Sequence, residues 1–569
     1  MHQKRNTNKV LNLTEILPYY ELNNSYDEIK NNISDNTYTN YTKKIAEQII
    51  LTYENLEEHD KPIIEEGKIN KLKIFIKNYE EETATQNEQP NKKYTLKLGS
   101  AKIDTLKETV THLLAAKRRS EATELITTTI KQQTKIFTTR DDEKPEMWIY
   151  HEGIYIPNGR ARIKEAIRKI LGELHTTHIT NEIINKIEAD TYIDQEKFFE
   201  QQNKYPELIA TQNGILNIKT QTLEPFNNKY YFFNKINAEY IPGKDCKNIK
   251  QFLKEILPDE KSYDTIQELI GFCLLKEYKY EKSFMFIGEG SNGKTKLLDL
   301  IKKFLGAENC LNLTLSKIEK DNFAVSEIHN KLVNISGEIT KEALDNTGTF
   351  KELTGRGTIT AGRKFKTGVS FESYAKMIFA TNDLPRTKDM TDGFWRRWVL
   401  MKFPYKFLPQ KEINLIPEKE RTNIKLQNPE IIKSISTKEE LNGLLNFALK
   451  GFERLEKQKD FTDSKSTNKT AEMWIRTSDS FSAFLMDHIT EEYDAMIQKQ
   501  VLKEMYHRYC KRNKLKLQSD MAIKYNLTKN LAVTEARPLV DGVQYGVWVG
   551  IKFSKGSKGS KGFSVCLGI

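Results

Sequence analysis

Ser283-Phe284-Met285-Phe286-Ile287-Gly288-Glu289-Gly290-Ser291-Asn292-Gly293-Lys294-Thr295 begins as an apolar run of buried-strand type and ends as a complete phosphate-binding loop. The chemistry explains the residues. Glycines let backbone N–H groups close around phosphate oxygens, a lysine reaches the β- and γ-phosphates, and a threonine hydroxyl holds Mg²⁺. Gly288, Glu289, Gly290, Ser291, Asn292, Gly293, Lys294 and Thr295 are therefore the candidate ATP-binding residues, with Thr295 also a magnesium ligand. After the loop, Leu297, Leu298, Ile301, Phe304 and Leu305 recur at helical spacing and stop at Gly306, so the loop is expected between a strand and a helix.

Two further apolar runs lie downstream. Leu332-Val333-Asn334-Ile335 leads to Gly337-Glu338, which places a carboxylate just beyond a strand. There Glu338 could polarise an attacking water or help hold magnesium. Met377-Ile378-Phe379-Ala380 leads to Thr381-Asn382, whose amide could sense the γ-phosphate. Between them, Phe350 to Gly368 is glycine-bounded and basic and suits a hairpin with Arg363, Lys364 and Lys366 at its tip. That tip reads either as a solvated turn or as a loop whose cations grip a nucleic-acid backbone. Asp392-Gly393-Phe394-Trp395-Arg396-Arg397-Trp398 then sets two arginines among aromatics. They are either packed, ion-paired residues or include an arginine finger donated across a subunit boundary.

The succession of phosphate loop, Glu338, basic hairpin, Asn382 and Phe394-Trp395-Arg396-Arg397 resembles the superfamily 3 helicases, in particular the phage and plasmid primase–helicase family that includes the poxvirus primase–NTPase. Asn213-Gly214-Ile215-Leu216-Asn217 and Tyr230 to Pro242 resemble the domain that precedes the helicase there, so the likeness runs over residues 145–455. It implies an AAA+ fold, a hexameric ring, ATP and Mg²⁺ as fuel, and 3′–5′ translocation on single-stranded DNA at forked duplexes. It also implies a role in replicating a viral, phage or plasmid genome, with a separate primase or polymerase as partner. Lys294, Glu338, Asn382 and either Arg396 or Arg397 would carry catalysis. Gly337 stands where many relatives have a second acid. An ATP-gated initiator or assembly scaffold that does not unwind is the other reading of the same motifs.

The rest of the chain is less specific. A length of 569 residues implies several modules. The reading divides them into a helical N-terminal region (1–140), a small α+β domain (141–245), the α/β ATPase core (246–425) and an α-rich C-terminal region (426–569). A helix is expected from Asp104. Hairpins are expected at Met147 to Ile156 and Leu208 to Ile218, and a strand at Tyr230 to Phe233. Thr437-x-x-Glu440 reads as a capping box. The helices beyond Phe481 suit a winged-helix module or a helical cap, and the Ser-Lys-Gly repeats of 554–562 a flexible basic tail. A net charge of +11 permits a nucleic-acid partner. Five scattered cysteines predict neither a disulfide framework nor a zinc ribbon, and no metal site is expected at His175 and His178. No apolar run is long enough to span a bilayer, so a cytoplasmic protein is expected. The segment before residue 140 shows no polymerase-like carboxylate pattern, and no priming by this chain is expected.

Overall fold

The computed structural model describes residues 100–554, apart from 141–144, 338–343, 345, 364–365, 514, 532 and 541–542. Before residue 100 it describes only 46–47, 49–50, 69–70, 72–73 and 76, all helical, in a unit (Met1–Thr95) separate from Leu96–Ile569. The larger unit is a multidomain α/β assembly.

Its first module places helices α1 (Ser100–Ala115), α2 (Arg119–Gln133), α3 (Gly159–Leu171) and α4 (Thr177–Thr191) with strands β1 (Ile136–Thr139), β2 (Met147–His151), β3 (Ile154–Ile156) and β4 (Tyr192–Ile193). The sheet order is β3-β2-β1-β4. The expected hairpin is β2–β3, turning at Glu152 and Gly153, both at positive φ. Helix α1 begins at Ser100, so Asp104 lies inside it. Because β1 pairs with β2 and α2 binds α4 through Arg119–Glu182 and Lys131–Asp190, residues 100–140 share one module with β2, α4 and their neighbours.

A small sheet of β5 (Leu208–Ala210), β6 (Ile215–Asn217) and β7 (Thr222–Glu224) forms the second expected hairpin and adds a strand. Tyr230 to Phe233 is not a strand, contrary to expectation. Its rings are recruited into an aromatic cluster instead, with Tyr231 and Phe233 against Phe137, Trp148 and Phe198. Its backbone makes an isolated bond, Tyr155 N–H to Phe232 O at 2.7 Å, in place of a ladder.

Two helices, α5 (Lys247–Ile256) and α6 (Glu260–Phe272), lead into the central sheet. Its strands are β8 (Ser283–Ile287), β9 (Cys310–Leu311), β10 (Val333–Ser336), β13 (Lys376–Thr381) and β14 (Trp398–Lys402), in the order β14-β8-β13-β10-β9. All four pairings are parallel. Every residue of β8, β10 and β13 is buried, as a parallel sheet covered on both faces requires. Two polar residues buried in these strands are paired. Lys376 donates to the carbonyls of Leu275, Glu277 and Tyr374, and Asn334 exchanges two bonds with the Leu313 backbone.

Helix α7 (Lys294–Leu305) follows β8 and ends at Gly306 as expected. Between β10 and β13 come the short helix α8 (Gly348–Leu353) and a hairpin of β11 (Thr358–Arg363) and β12 (Lys366–Glu372). Helix α9 (Asp392–Trp395) precedes β14. The long helix α10 (Lys438–Gln458) packs on α6, where the fully buried Glu268 accepts from Arg454 Nε (2.6 Å), Gln458 Nε2 (2.8 Å) and the Thr462 backbone (2.8 Å). Thr437 caps α10 through the Glu440 N–H. Glu440 does not close a capping box; its carboxylate caps α5 at Asn248 and Ile249. One apolar core thus runs from Ile209 to Trp474, and a second begins at Phe481.

The second core joins α11 (Ser480–His488), α12 (Lys499–Asn513) and α13 (Asp520–Asn530) to a three-stranded antiparallel sheet of Ile489–Gln498, Val547–Phe553 and Thr534–Ala536. The hairpin Leu539–Val540/Val543–Gln544 projects between the last two strands in the chain. No described helix is long and apolar enough to cross a membrane. The tail at 555–569 lies outside the described residues.

Candidate functional site

The ends of β8, β10 and β13 align, since Ile287 pairs with Thr381 and Ser336 with Phe379. The ends of all three strands therefore lie on one edge, where ligands bind open parallel sheets. The loop after β8 is drawn tight. A β-carbon on Gly288 would lie 2.3 Å from Asn292 Nδ2 and 2.6 Å from the Phe403 carbonyl. Gly293 has φ +87° and abuts Ile256, so no side chain fits there. Helix α7 starts directly from this glycine, which has no side chain to cap it, and the first helical N–H, that of Lys294, donates to Asn292 Oδ1 at 3.4 Å. Asn292 Nδ2 is buried with no hydrogen-bond acceptor, and the Thr295 side chain is exposed in the first turn. Glu289, Gly290 and Ser291 line the exposed rim. This is a cradle of donors, suited to an anion with several oxygens.

Lys294 is only 6% exposed. Its ammonium donates to the Gly288 carbonyl and lies 3.5 Å from Asn382 Oδ1, just beyond β13. Two residues 88 positions apart, singled out separately in the sequence, are thus in contact. Burial holds the Lys294 ammonium near pKa 8. Between about pH 8 and the ordinary lysine range the unfolded chain keeps a proton that the folded chain has released, so stability rises with pH there. Anion binding needs the ammonium and weakens over the same interval. Titrations of nucleotide at about pH 7 and about pH 9 should show this loss, and Lys294→Met should flatten the difference; a wild-type affinity independent of pH would contradict the assignment.

Beside the loop lies a cleft of about 280 Å³ that the sequence did not reveal. Phe252, Ile256, Phe407, Leu426 and Ile431 make an apolar slot, which Gln427 and Asn428 also line. Its walls come from segments up to 179 positions apart, between Phe252 and Ile431, and no local pattern marks them.

The two arginines after α9 differ sharply. Arg397 is 7% exposed; its Nε donates to Thr354 Oγ1 at 2.9 Å, and its guanidinium also reaches the carbonyls of Gly393 and Lys351. The Arg396 side chain is 55% exposed and held by Glu281 at 2.9 Å. Only Arg396 can reach a neighbouring molecule without dismantling the interior.

The expected basic hairpin is present, with Arg363 and Lys366 paired across its tip. Arg363 is not a free cation, because it is ion-paired with Glu146 at 2.8 Å, both side chains largely buried. Lys364 and Glu338 lie outside the described residues, as does the side chain of Lys366. Among the described residues no cluster of three or more His, Cys, Asp or Glu could hold a metal ion.

A family model described as "D5 N terminal like" matches residues 101–258, and one for a family of unknown function, DUF5906, matches 286–397. A protein of Acanthamoeba polyphaga mimivirus named as a helicase, L207/L206, is 28% identical over 46% of this chain and 28% of its own length. A protein of African swine fever virus (isolate Warthog/Namibia/Wart80/1980) named as a primase, C962R, is 24% identical over 59% of this chain and 38% of its own. A protein of Invertebrate iridescent virus 3 named as a helicase, 121R, is 22% identical over 43% and 28%. The chain spans less than two fifths of the length of each of these relatives. Among solved structures, the apo C-terminal region of NrS-1 overlaps 75% of this chain and 98% of that one, with 14% identity and a TM-score of 0.42.

Proposed function

We propose, from the premise that this chain carries the D5-like and DUF5906 domains and is homologous to viral primase and helicase proteins, that it is an ATP-driven superfamily 3 helicase acting in genome replication. The observation that carries this reading is the meeting of Lys294 and Asn382 at the open edge of a parallel sheet in which β13 lies between β8 and β10. That order supports an AAA+ core. It lets one bound triphosphate touch the loop after β8 and the amide after β13, beside the end of β10, which Glu338 follows in the sequence.

The donor set fits a nucleoside triphosphate. The N-terminus of α7, the unpartnered Asn292 Nδ2 and the Lys294 ammonium would receive phosphate oxygens. The slot of Phe252, Ile256 and Phe407 would take the base. Thr295 and Glu338 would hold magnesium, whose chemistry is to neutralise charge on the β- and γ-phosphates. Glu338 would orient water, Asn382 would sense the γ-phosphate, and Arg396 would enter the site of an adjacent subunit of a hexamer. A separate primase or polymerase would complete the machinery, in the host cytoplasm. The succession α11, strand, α12, α13, strand, hairpin, strand supports a winged-helix module at the C-terminal end.

The hairpin tip would track single-stranded DNA through its phosphates. Arg363 can do so only after parting from Glu146. Glu146→Gln should therefore tighten binding of single-stranded DNA, while Arg363→Ala should reduce the slope of log K against log salt by about 0.7 for each phosphate left without a cation. Equal salt slopes for wild type and Arg363→Ala would remove the hairpin from the DNA path.

The motor itself is tested by displacement of a labelled strand from forked duplexes with 3′ or 5′ tails. ATP-dependent release from the 3′-tailed fork supports the reading. Nucleotide-dependent assembly on DNA without strand release would favour a scaffold.

A further inference from the structure

We infer that Arg397 is a positioning residue that ties the base of the hairpin to Arg396, so that load on the hairpin is conveyed to the exposed arginine next to it. The inference rests on the reading of the hairpin as a DNA contact and of Arg396 as a finger.

The link is short and fully engaged. Hairpin strand β11 starts at Thr358, four residues after Thr354. Thr354 is fully buried, and its hydroxyl both donates to Phe350 O at 2.7 Å and accepts from Arg397 Nε at 2.9 Å. Arg397 Nη2 adds a bond to Lys351 O at 3.3 Å, so the guanidinium grips the last turn of α8 at two points. A β-carbon on Gly355 would stand 2.9 Å from the same nitrogen, so the turn into the hairpin lies directly against it. From the other side, Arg397 Nη1 holds Gly393 O, one turn before Arg396. One oxygen of Glu281 faces both arginines, at 2.9 Å from Arg396 and 3.7 Å from Arg397. The rings repeat the connection, since Phe350 of α8 stacks on Trp398 of β14 with centroids 4.8 Å apart.

A surface charge needs none of this. A buried guanidinium is costly unless its donors are met, and these are met by the two segments that flank Arg396 and the hairpin. Moving the hairpin base must move Arg397, and with it the backbone that aims Arg396. Residues along such a connection change coupling without touching either ligand.

Thr354→Val keeps the shape and removes the hydroxyl that Arg397 grips, and Thr354→Ser restores it. The measurement is ATP hydrolysis with and without single-stranded DNA, together with the melting temperature. Thr354→Val should lose about tenfold in the stimulated-to-basal ratio with basal turnover retained, and serine should recover it. If valine prevents folding, Gly355→Ala, which pushes a methyl against Arg397 Nη2, should lower the same ratio. An unchanged ratio, or basal and stimulated rates falling in equal proportion, would overturn the link. A wild type without DNA stimulation would overturn the motor reading itself, and the two failures are distinguished by which protein shows them.

Discussion

Arg396→Ala should lower nucleotide turnover by about a thousandfold, the smaller end of what a finger contributes when it stabilises charge on a transferring phosphoryl group. Exposure is the reason for choosing this arginine. Arg396 stands at the surface with one ionic partner, Glu281, whereas Arg397 is enclosed by Thr354, Gly393 and Lys351 and should act through folding when truncated. A finger given to a neighbour makes a specific prediction for mixtures. Arg396→Ala subunits retain Lys294, and Lys294→Met subunits retain Arg396, so some interfaces of a mixed ring pair an intact loop with an intact arginine. Mixing two inactive proteins should restore part of the hydrolysis. Mixtures no more active than their components would exclude donation between subunits.

Lys294→Met should weaken nucleotide binding about thirtyfold or more, since truncating one partner of a buried charged contact costs at least about 2 kcal/mol. Its effect on the fold should have the opposite sign. The Lys294 ammonium is desolvated in the folded protein, with its pKa held near 8, so an apolar side chain of similar length removes a burden at neutral pH. Thermal unfolding of the nucleotide-free variant should occur at or above the wild-type temperature. A variant that bound nucleotide normally would remove Lys294 from the site, and one that lost binding together with a large fall in melting temperature would mark it as a structural lysine.

The sequence revealed the parts of the site built from contiguous chain. The loop from Gly288 to Thr295, the stop at Gly306 and the hairpin turn before Lys366 are local chemistry, dictated by glycine placement and apolar spacing. What it could not show is pairing at a distance. Nothing in the neighbourhood of Arg363 points to Glu146, 217 positions earlier, and nothing near Arg396-Arg397 says which one Thr354 will enclose. Tyr230 to Phe233 misled because aromatic residues that favour strands also favour one another, and here ring packing prevailed. Ile489–Gln498 is not legible as a strand, because its pairing with Val547–Phe553 shifts register between Glu491 and Met496, which breaks the alternation that marks one. The apolar slot beside the loop and the strand order both arise from topology, which no local window contains.

The most direct test of the central claim is steady-state ATP hydrolysis by the purified full chain, with and without single-stranded DNA, across a series of salt concentrations. A translocating motor whose hairpin neutralises phosphates predicts strong stimulation by DNA that declines steeply as salt rises. Turnover that is the same with and without DNA at every salt concentration would contradict it.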